Sequence, residues 1–245
     1  NRIQTPLSQK AASVTVLTKK ELQELPGVTV ADKLHNVNGL DLRSRGPHGV
    51  QTDIGLRGSS FDQVLVLING IKLNDAQTGH HVMNLPIDLE SIDRIEVHFG
   101  SASRVFGQNA FAGAINIITK ISDDDFIKVK RGAGDFNLRS DGVLINVATK
   151  NFKQSISGEF NSSDGYRSNT DYKIMNGLYQ SELNLKGHKL NAMLGYTSRK
   201  FGANGFYASE DYKDQYEEVT TILSSLSYSP RLRDTENNIV IRGYW

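Results

Sequence analysis

From Ile127 onward, apolar and polar residues take turns along the chain. Ile127 and Val129 alternate with Lys128 and Lys130, and Val143, Ile145 and Val147 with Leu144, Asn146 and Ala148. Ile156 and Phe160 oppose Ser155, Ser157 and Glu159, and Tyr179, Ser181, Leu183 and Leu185 oppose Gln180, Glu182 and Asn184. Leu190, Ala192, Leu194 and Tyr196 share another face, then Ile222, Leu226 and Tyr228, and finally Ile239, Ile241 and Trp245. A period of two puts alternate side chains on opposite faces of a strand. Repeated over segments of ~10 residues, it marks a transmembrane barrel. A soluble antiparallel sandwich alternates in the same way.

Loop lengths separate these two architectures. Lys150-Asn151 and Lys186-Gly187-His188-Lys189 read as tight turns, whereas Ser162 to Lys173 and Phe201 to Tyr216 are long polar connections. Short and long loops alternate when one rim faces the periplasm and the other the exterior. Tyr166, Tyr172, Tyr196, Phe201, Tyr216 and Tyr228 fall near strand ends, where barrels carry aromatic girdles. The pattern therefore favours a barrel, with about seven strands in this segment. An open sheet in lipid would leave two rows of unpaired backbone groups at several kcal/mol each. The seven strands are thus expected to be an incomplete part of a larger barrel.

Residues 1–125 follow a different grammar, with Phe61, Phe99, Phe106 and Phe111 as the only aromatics, while every tyrosine lies at or after Tyr166. Val14 to Leu17 reads as a brief strand. Thr18-Lys19-Lys20-Glu21 and Thr29-Val30-Ala31-Asp32 each fit a capping pattern that starts a short helix, and Gly39 is expected to end the second. Strands are expected at 40–43 and 53–57. Val64 to Ile68 reads as a buried strand, and Asn69-Gly70 as a type I′ hairpin turn before Ile71-Lys72-Leu73. Ser91 to Phe99 reads as a helical turn running into a strand, and Ala114 to Thr119 as a strand behind the hinge glycines Gly107 and Gly113. Asp123-Asp124-Asp125 reads as a solvated joint between domains at 1–122 and 123–245.

Composition removes several function classes. The formal charge is +1 with no basic cluster, so no nucleic-acid partner is expected. There is no cysteine for a disulfide or thiolate metal site. Val64 to Ile68 is the longest strongly apolar run, far short of the ~20 residues of a membrane helix. No signal peptide is visible after Asn1, which fits a processed chain.

Several stretches then fall in an ordered series: Leu56-Arg57-Gly58; Val64 to Gly70 leading to Leu73-Asn74-Asp75; Ile92-Asp93-Arg94-Ile95-Glu96-Val97; Gly100-Ser101-Ala102-Ser103; and Arg104 to Lys120. Over residues 10–120 the chain resembles the plug domain of TonB-dependent outer-membrane receptors, most of all their cobalamin-receptor branch. It departs from that pattern at Asn69 for the usual aspartate, at His98-Phe99 where an arginine is common, and at Ser101 for proline. The resemblance implies an α+β plug followed by antiparallel transmembrane strands of a barrel of about 22 strands. It also implies a multi-pass protein of the bacterial outer membrane, without enzymatic activity or a cofactor. Such a receptor takes up a scarce metal chelate, either a corrinoid or a ferric siderophore, powered through the periplasmic TonB protein. A surface lipoprotein is a further possible partner, and outer-membrane lipid surrounds the barrel. No TonB box can be read, and it is expected before Asn1.

By position, the resemblance makes Arg45, His48, Gln51, Asn74, Gln77, His80 and His81 ligand-facing on the apical plug loops. Phe206, Tyr207 and Tyr212 in the long loop can stack on a planar ligand, although girdle or loop packing is the simpler reading for each. Arg57, Arg94 and Glu96 are expected to make ionic contacts within the plug or to the barrel wall. The adjacent pair His80-His81 points to opposite sides of an extended chain and finds no third ligand at metal spacing, so no protein–metal bond is expected. Glu210, Asp211, Asp214, Glu217 and Glu218 form an acidic loop that can hold Ca²⁺, but their spacing matches no EF-hand, and solvated charge is the simpler reading. Two rivals stand beside a receptor. An outer-membrane enzyme would need a nucleophile–base constellation where the strands offer only His188. A passive channel or a ligand-binding β protein would work without energy coupling.

Overall fold

The computed structural model describes residues 13–73, 78–206, 213–230 and 241–244. The chain forms two compact units, one made of residues 1–84 and 92–119 and the other of residues 85–91 and 120–245. The sequence places one border near residue 122. The structure breaks at Thr119 and also lends Leu85–Ser91 to the second unit.

In the first unit, β1 (Val14–Thr18) runs into α1 (Lys19–Glu24), and α2 (Val30–Leu34) follows. Both helices start with complete capping boxes, Thr18 with Glu21 and Thr29 with Asp32, each satisfying two otherwise orphaned amides. α2 stops at Leu34 with His35 as its cap, so Gly39 (φ +88°) does not end the helix but turns the chain into the next strand. β2 (Leu40–Arg45) and β3 (Gln51–Leu56) form a separate antiparallel ribbon. β4 (Val64–Ile68), β5 (Ile71–Leu73), β6 (Ile92–Phe99), the single turn α3 (Ser103–Phe106) and β7 (Gly113–Thr119) complete the unit.

The main sheet has the order β1-β6-β7-β4-β5, with β4 and β7 parallel and the other pairs antiparallel. β7 is therefore central, and almost all of it is buried, as is all of β4. The hairpin between β4 and β5 turns on Asn69 (φ 53°) and Gly70 (φ 76°), the two left-handed residues of a type I′ turn. At Gly113 an added Cβ would sit 2.1 Å from the His98 carbonyl oxygen, so only glycine lets β7 approach β6 there.

The second unit is an up-and-down meander of seven antiparallel strands in chain order. These are β8 (Phe126–Gly134), β9 (Leu138–Ala148), β10 (Phe152–Ser163), β11 (Tyr172–Leu185), β12 (His188–Gly202), β13 (Tyr216–Ser229) and β14 (Ile241–Tyr244). Register aligns Ile127, Ile145, Ile156, Tyr179 and Leu194 in one row across five strands. Of these, Ile127 is 71% exposed, Ile156 53% and Leu194 51%. The opposite face buries Asn146, Ser157, Asn176, Gln180, Thr197 and Arg199. A soluble sandwich buries its apolar face; this sheet exposes it, as a lipid-facing barrel wall does.

Two girdle expectations are corrected by that facing. Tyr172 and Phe201 lie in one row with Glu217 and are both 1% exposed, so they sit on the polar, buried face. Tyr196, Tyr216 and Tyr228 are on the exposed face. The Asp123–Asp125 joint is exposed but not merely solvated. Asp125 accepts from the Ala148 amide (2.6 Å), Asp123 pairs with Lys153, and Asn146 donates to the carbonyls of Ser122 (3.2 Å) and Asp124 (2.7 Å).

Candidate functional site

The β2–β3 ribbon ends in a turn at Gly46–Val50, which needs three left-handed residues in close succession: Gly46 (φ 72°), His48 (φ 50°) and Gly49 (φ 63°). His48 stands exposed at this tip. Below it, Arg45 and Gln51 face each other as register partners. β3 then buries three polar residues in a row, Gln51, Thr52 and Asp53. Burial of a polar run is stable only where partners are supplied.

The Asp53 carboxylate supplies them for two of the expected ligand residues. His80 Nδ1 lies 2.7 Å from Asp53 Oδ1, and Arg45 Nη2 lies 3.8 Å from Oδ2. The imidazole of His80 also packs on the Phe61 ring, with centroids 4.2 Å apart. Its backbone amide donates to Thr78 Oγ1 (3.2 Å), which caps the short helical turn Gly79–His81. Gly79 is required in that turn, because a Cβ would meet Asp62 Oδ1 at 2.5 Å and the Phe61 ring at 2.7 Å.

Arg45 and His80 are thus brought together around Asp53, Gln51 is the buried register partner of Arg45, and His48 and His81 lie on the adjoining turns. Asn74 and Gln77 lie outside the described residues. Asp53 and Phe61 are absent from the sequence expectation, although they hold the cluster. Asp53 has a signal in the sequence, since a carboxylate two residues after Gln51 shares its strand face. Phe61 has none. The arrangement offers a positioned guanidinium and imidazole, which suits recognition by hydrogen bonding.

In β6, Arg94 Nε donates to Glu96 Oε1 (3.0 Å) and Nη1 to Asp93 Oδ2 (2.9 Å), while His98 Nε2 lies 3.5 Å from Glu96 Oε2. His98 and Arg94 hold the Glu96 carboxyl down at about 2, against its partial burial. Arg57 places its guanidinium over the Phe99 ring, 4.9 Å from the centroid. Among the described residues no carboxylate comes within 4.0 Å of it, so its observed contact is cation–π rather than an ion pair. In the second unit, Phe206 packs on Phe201 with centroids 5.9 Å apart. Tyr207, Glu210, Asp211 and Tyr212 lie outside the described residues.

Residues 6–114 match the family model "TonB-dependent Receptor Plug Domain". The chain is 26% identical over 212 residues to a protein named vitamin B12 transporter BtuB from Vibrio vulnificus CMCP6, covering 86% of this chain and 32% of that protein. A second BtuB, from Vibrio vulnificus YJ016, is 36% identical over 119 residues, covering 49% of this chain and 19% of that one. The chain therefore spans about a third or less of the curated relatives it matches. Among solved structures, the unliganded ferric citrate transporter FecA has the same fold, with a TM-score of 0.79 at 18% identity over 96% of this chain and 40% of that one.

Proposed function

We propose that this chain, which matches the plug-domain model at residues 6–114 and is similar to BtuB proteins, belongs to a TonB-dependent receptor of the cobalamin-like branch that serves energy-coupled uptake of a metal chelate across a bacterial outer membrane. The observation that carries the reading is the second unit's sheet, which exposes apolar residues such as Ile127, Ile156 and Leu194 on one face while the other buries Asn146, Ser157, Asn176, Gln180, Thr197 and Arg199 among apolar neighbours. On this reading the seven strands contribute lipid-facing wall to a barrel that further strands close, which removes the two costly edges. The first unit is the gate, and the periplasmic TonB protein supplies the pull.

A corrinoid is the leading ligand, because curated relatives at 26% and 36% identity are named as vitamin B12 transporters. A ferric siderophore is the second reading, supported by the likeness in fold to a ferric citrate transporter. Arg45, His48, Gln51, His80 and His81, with Asn74 and Gln77, form the plug-side contact, and Asp53 positions Arg45 and His80. Phe206, Tyr207 and Tyr212 add stacking surface from the long loop, whose acidic residues are a Ca²⁺ site on this reading. A surface lipoprotein that delivers ligand is a further partner on this reading.

Equilibrium binding to the full-length receptor in detergent tests the ligand assignment. Saturable, high-affinity binding of cyanocobalamin with none of ferric citrate or ferric catecholates is expected. Binding of a ferric siderophore alone would move the assignment to the second reading. Binding of neither, with free diffusion of small solutes through the reconstituted protein, would favour a passive channel.

A further inference from the structure

The short stretch Leu85–Ser91 belongs to the strand unit although the residues on either side of it belong to the other. Four contacts hold it there. The Asp88 carboxylate, 8% exposed, accepts the Ser91 amide (3.0 Å), the Ser91 hydroxyl (2.8 Å) and the hydroxyl of Ser157 on β10. Glu90 pairs with Lys128 of β8 at 2.6 Å. Pro86 lies over Gly195 of β12, where any Cβ would stand 2.7 Å from the Pro86 carbonyl oxygen. The Ser91 carbonyl accepts from the Lys120 amide at 3.4 Å, next to the point where the chain finally enters the strands.

Three features make this a built attachment. Ser157 and Gly195 occupy one register row, Leu144–Ser157–Leu178–Gly195–Leu223, on the buried face of the sheet. Leu85 and Ile87 are each 3% exposed, so the stretch brings its own apolar contacts. A buried carboxylate is stable only while its lone pairs are taken, and here two hydroxyls and an amide take them. Loss of one partner leaves the charge uncompensated, so the three bonds hold or fail together.

We propose that Leu85–Ser91 is a tether that keeps its place on the strands while the sheet of the first unit opens. It deepens the receptor reading, since it sets which part of the gate can move. Its test reads backbone protection rather than uptake, so the two can fail independently.

The test is hydrogen exchange on the full-length receptor in detergent through a urea series. The expected result is that Ser91 and Lys120 amides stay protected together with those of β10 and β12, beyond the urea concentration that frees β4 and β7. Release of Ser91 together with β4 and β7 would overturn the proposal. Two variants localise the hold. Ser157→Ala and, independently, Gly195→Ala should speed Ser91 exchange by at least about tenfold while β11 amides keep their wild-type rates. Unchanged Ser91 protection in both would also overturn it. If either variant fails to assemble, the wild-type series alone decides.

Discussion

At Asn69 a side-chain amide ties the β4–β5 turn to Thr119 through two hydrogen bonds. Its Nδ2 donates to Thr119 Oγ1 (2.7 Å) while its Oδ1 accepts from the Thr119 amide (2.9 Å), and Asn116 Oδ1 takes the Gly70 amide (2.9 Å). The hairpin is thereby locked to the end of β7. Asn69→Ala removes both bonds to Thr119 and should destabilise the first unit by about 1–2 kcal/mol in urea denaturation. Glu96 carries the clearest pH dependence. Its folded carboxyl titrates at about 2, below the ordinary 4.5, so it binds fewer protons in the folded state. Its contribution is complete above about pH 4.5 and is lost as pH falls toward 2, on the order of 2–3 kcal/mol. Glu96→Gln should flatten stability against pH across that window, and an unchanged slope would assign the acid sensitivity elsewhere. At Asp53 both Arg45 and His80 lose their orienting partner on mutation to alanine. We expect Asp53→Ala to weaken cyanocobalamin binding by about tenfold or more at neutral pH without unfolding the β2–β3 ribbon.

At the scale of elements, the strands are defined by which face meets which surroundings. Leu194, in mid-β12, is 51% exposed, whereas its neighbour Met193 on the other face is 6% exposed. Leu194→Arg should cost about 2–4 kcal/mol in refolding into bilayers if this part of β12 lies near the midplane. Asn191→Arg on the opposite face should cost less than about 1 kcal/mol. Equal costs at both positions would contradict the lipid-facing assignment. Much of this level was readable from sequence because strand period, capping boxes and the Asn-Gly turn are local signals. Facing near strand ends was not, since an aromatic residue suits both a girdle and a packed interior. Tyr172 and Phe201 lie on the buried face because their register places them in line with Tyr172–Phe201–Glu217, and register is a property of three strands rather than one. Asp53 escaped for the same reason. Its importance lies in a contact with His80, 27 positions away, that no local pattern announces.

At the scale of the whole chain, the order of motifs from Leu56 to Lys120 was enough to suggest the plug family, and the family match over residues 6–114 agrees with it. The return of Leu85–Ser91 to the strand unit was not legible. It depends on Ser157 and Gly195, two small residues on strands far along the chain, whose significance appears only once their register row is formed. The function proposed for the full-length receptor is energy-coupled uptake. The direct measurement is uptake of radiolabelled cyanocobalamin by cells carrying the full-length receptor, compared with isogenic cells lacking TonB, with a ferric siderophore run in parallel. We expect accumulation above the external concentration that disappears without TonB, while ligand still binds at the surface. Uptake that is the same with and without TonB, and never exceeds equilibration, would contradict the account.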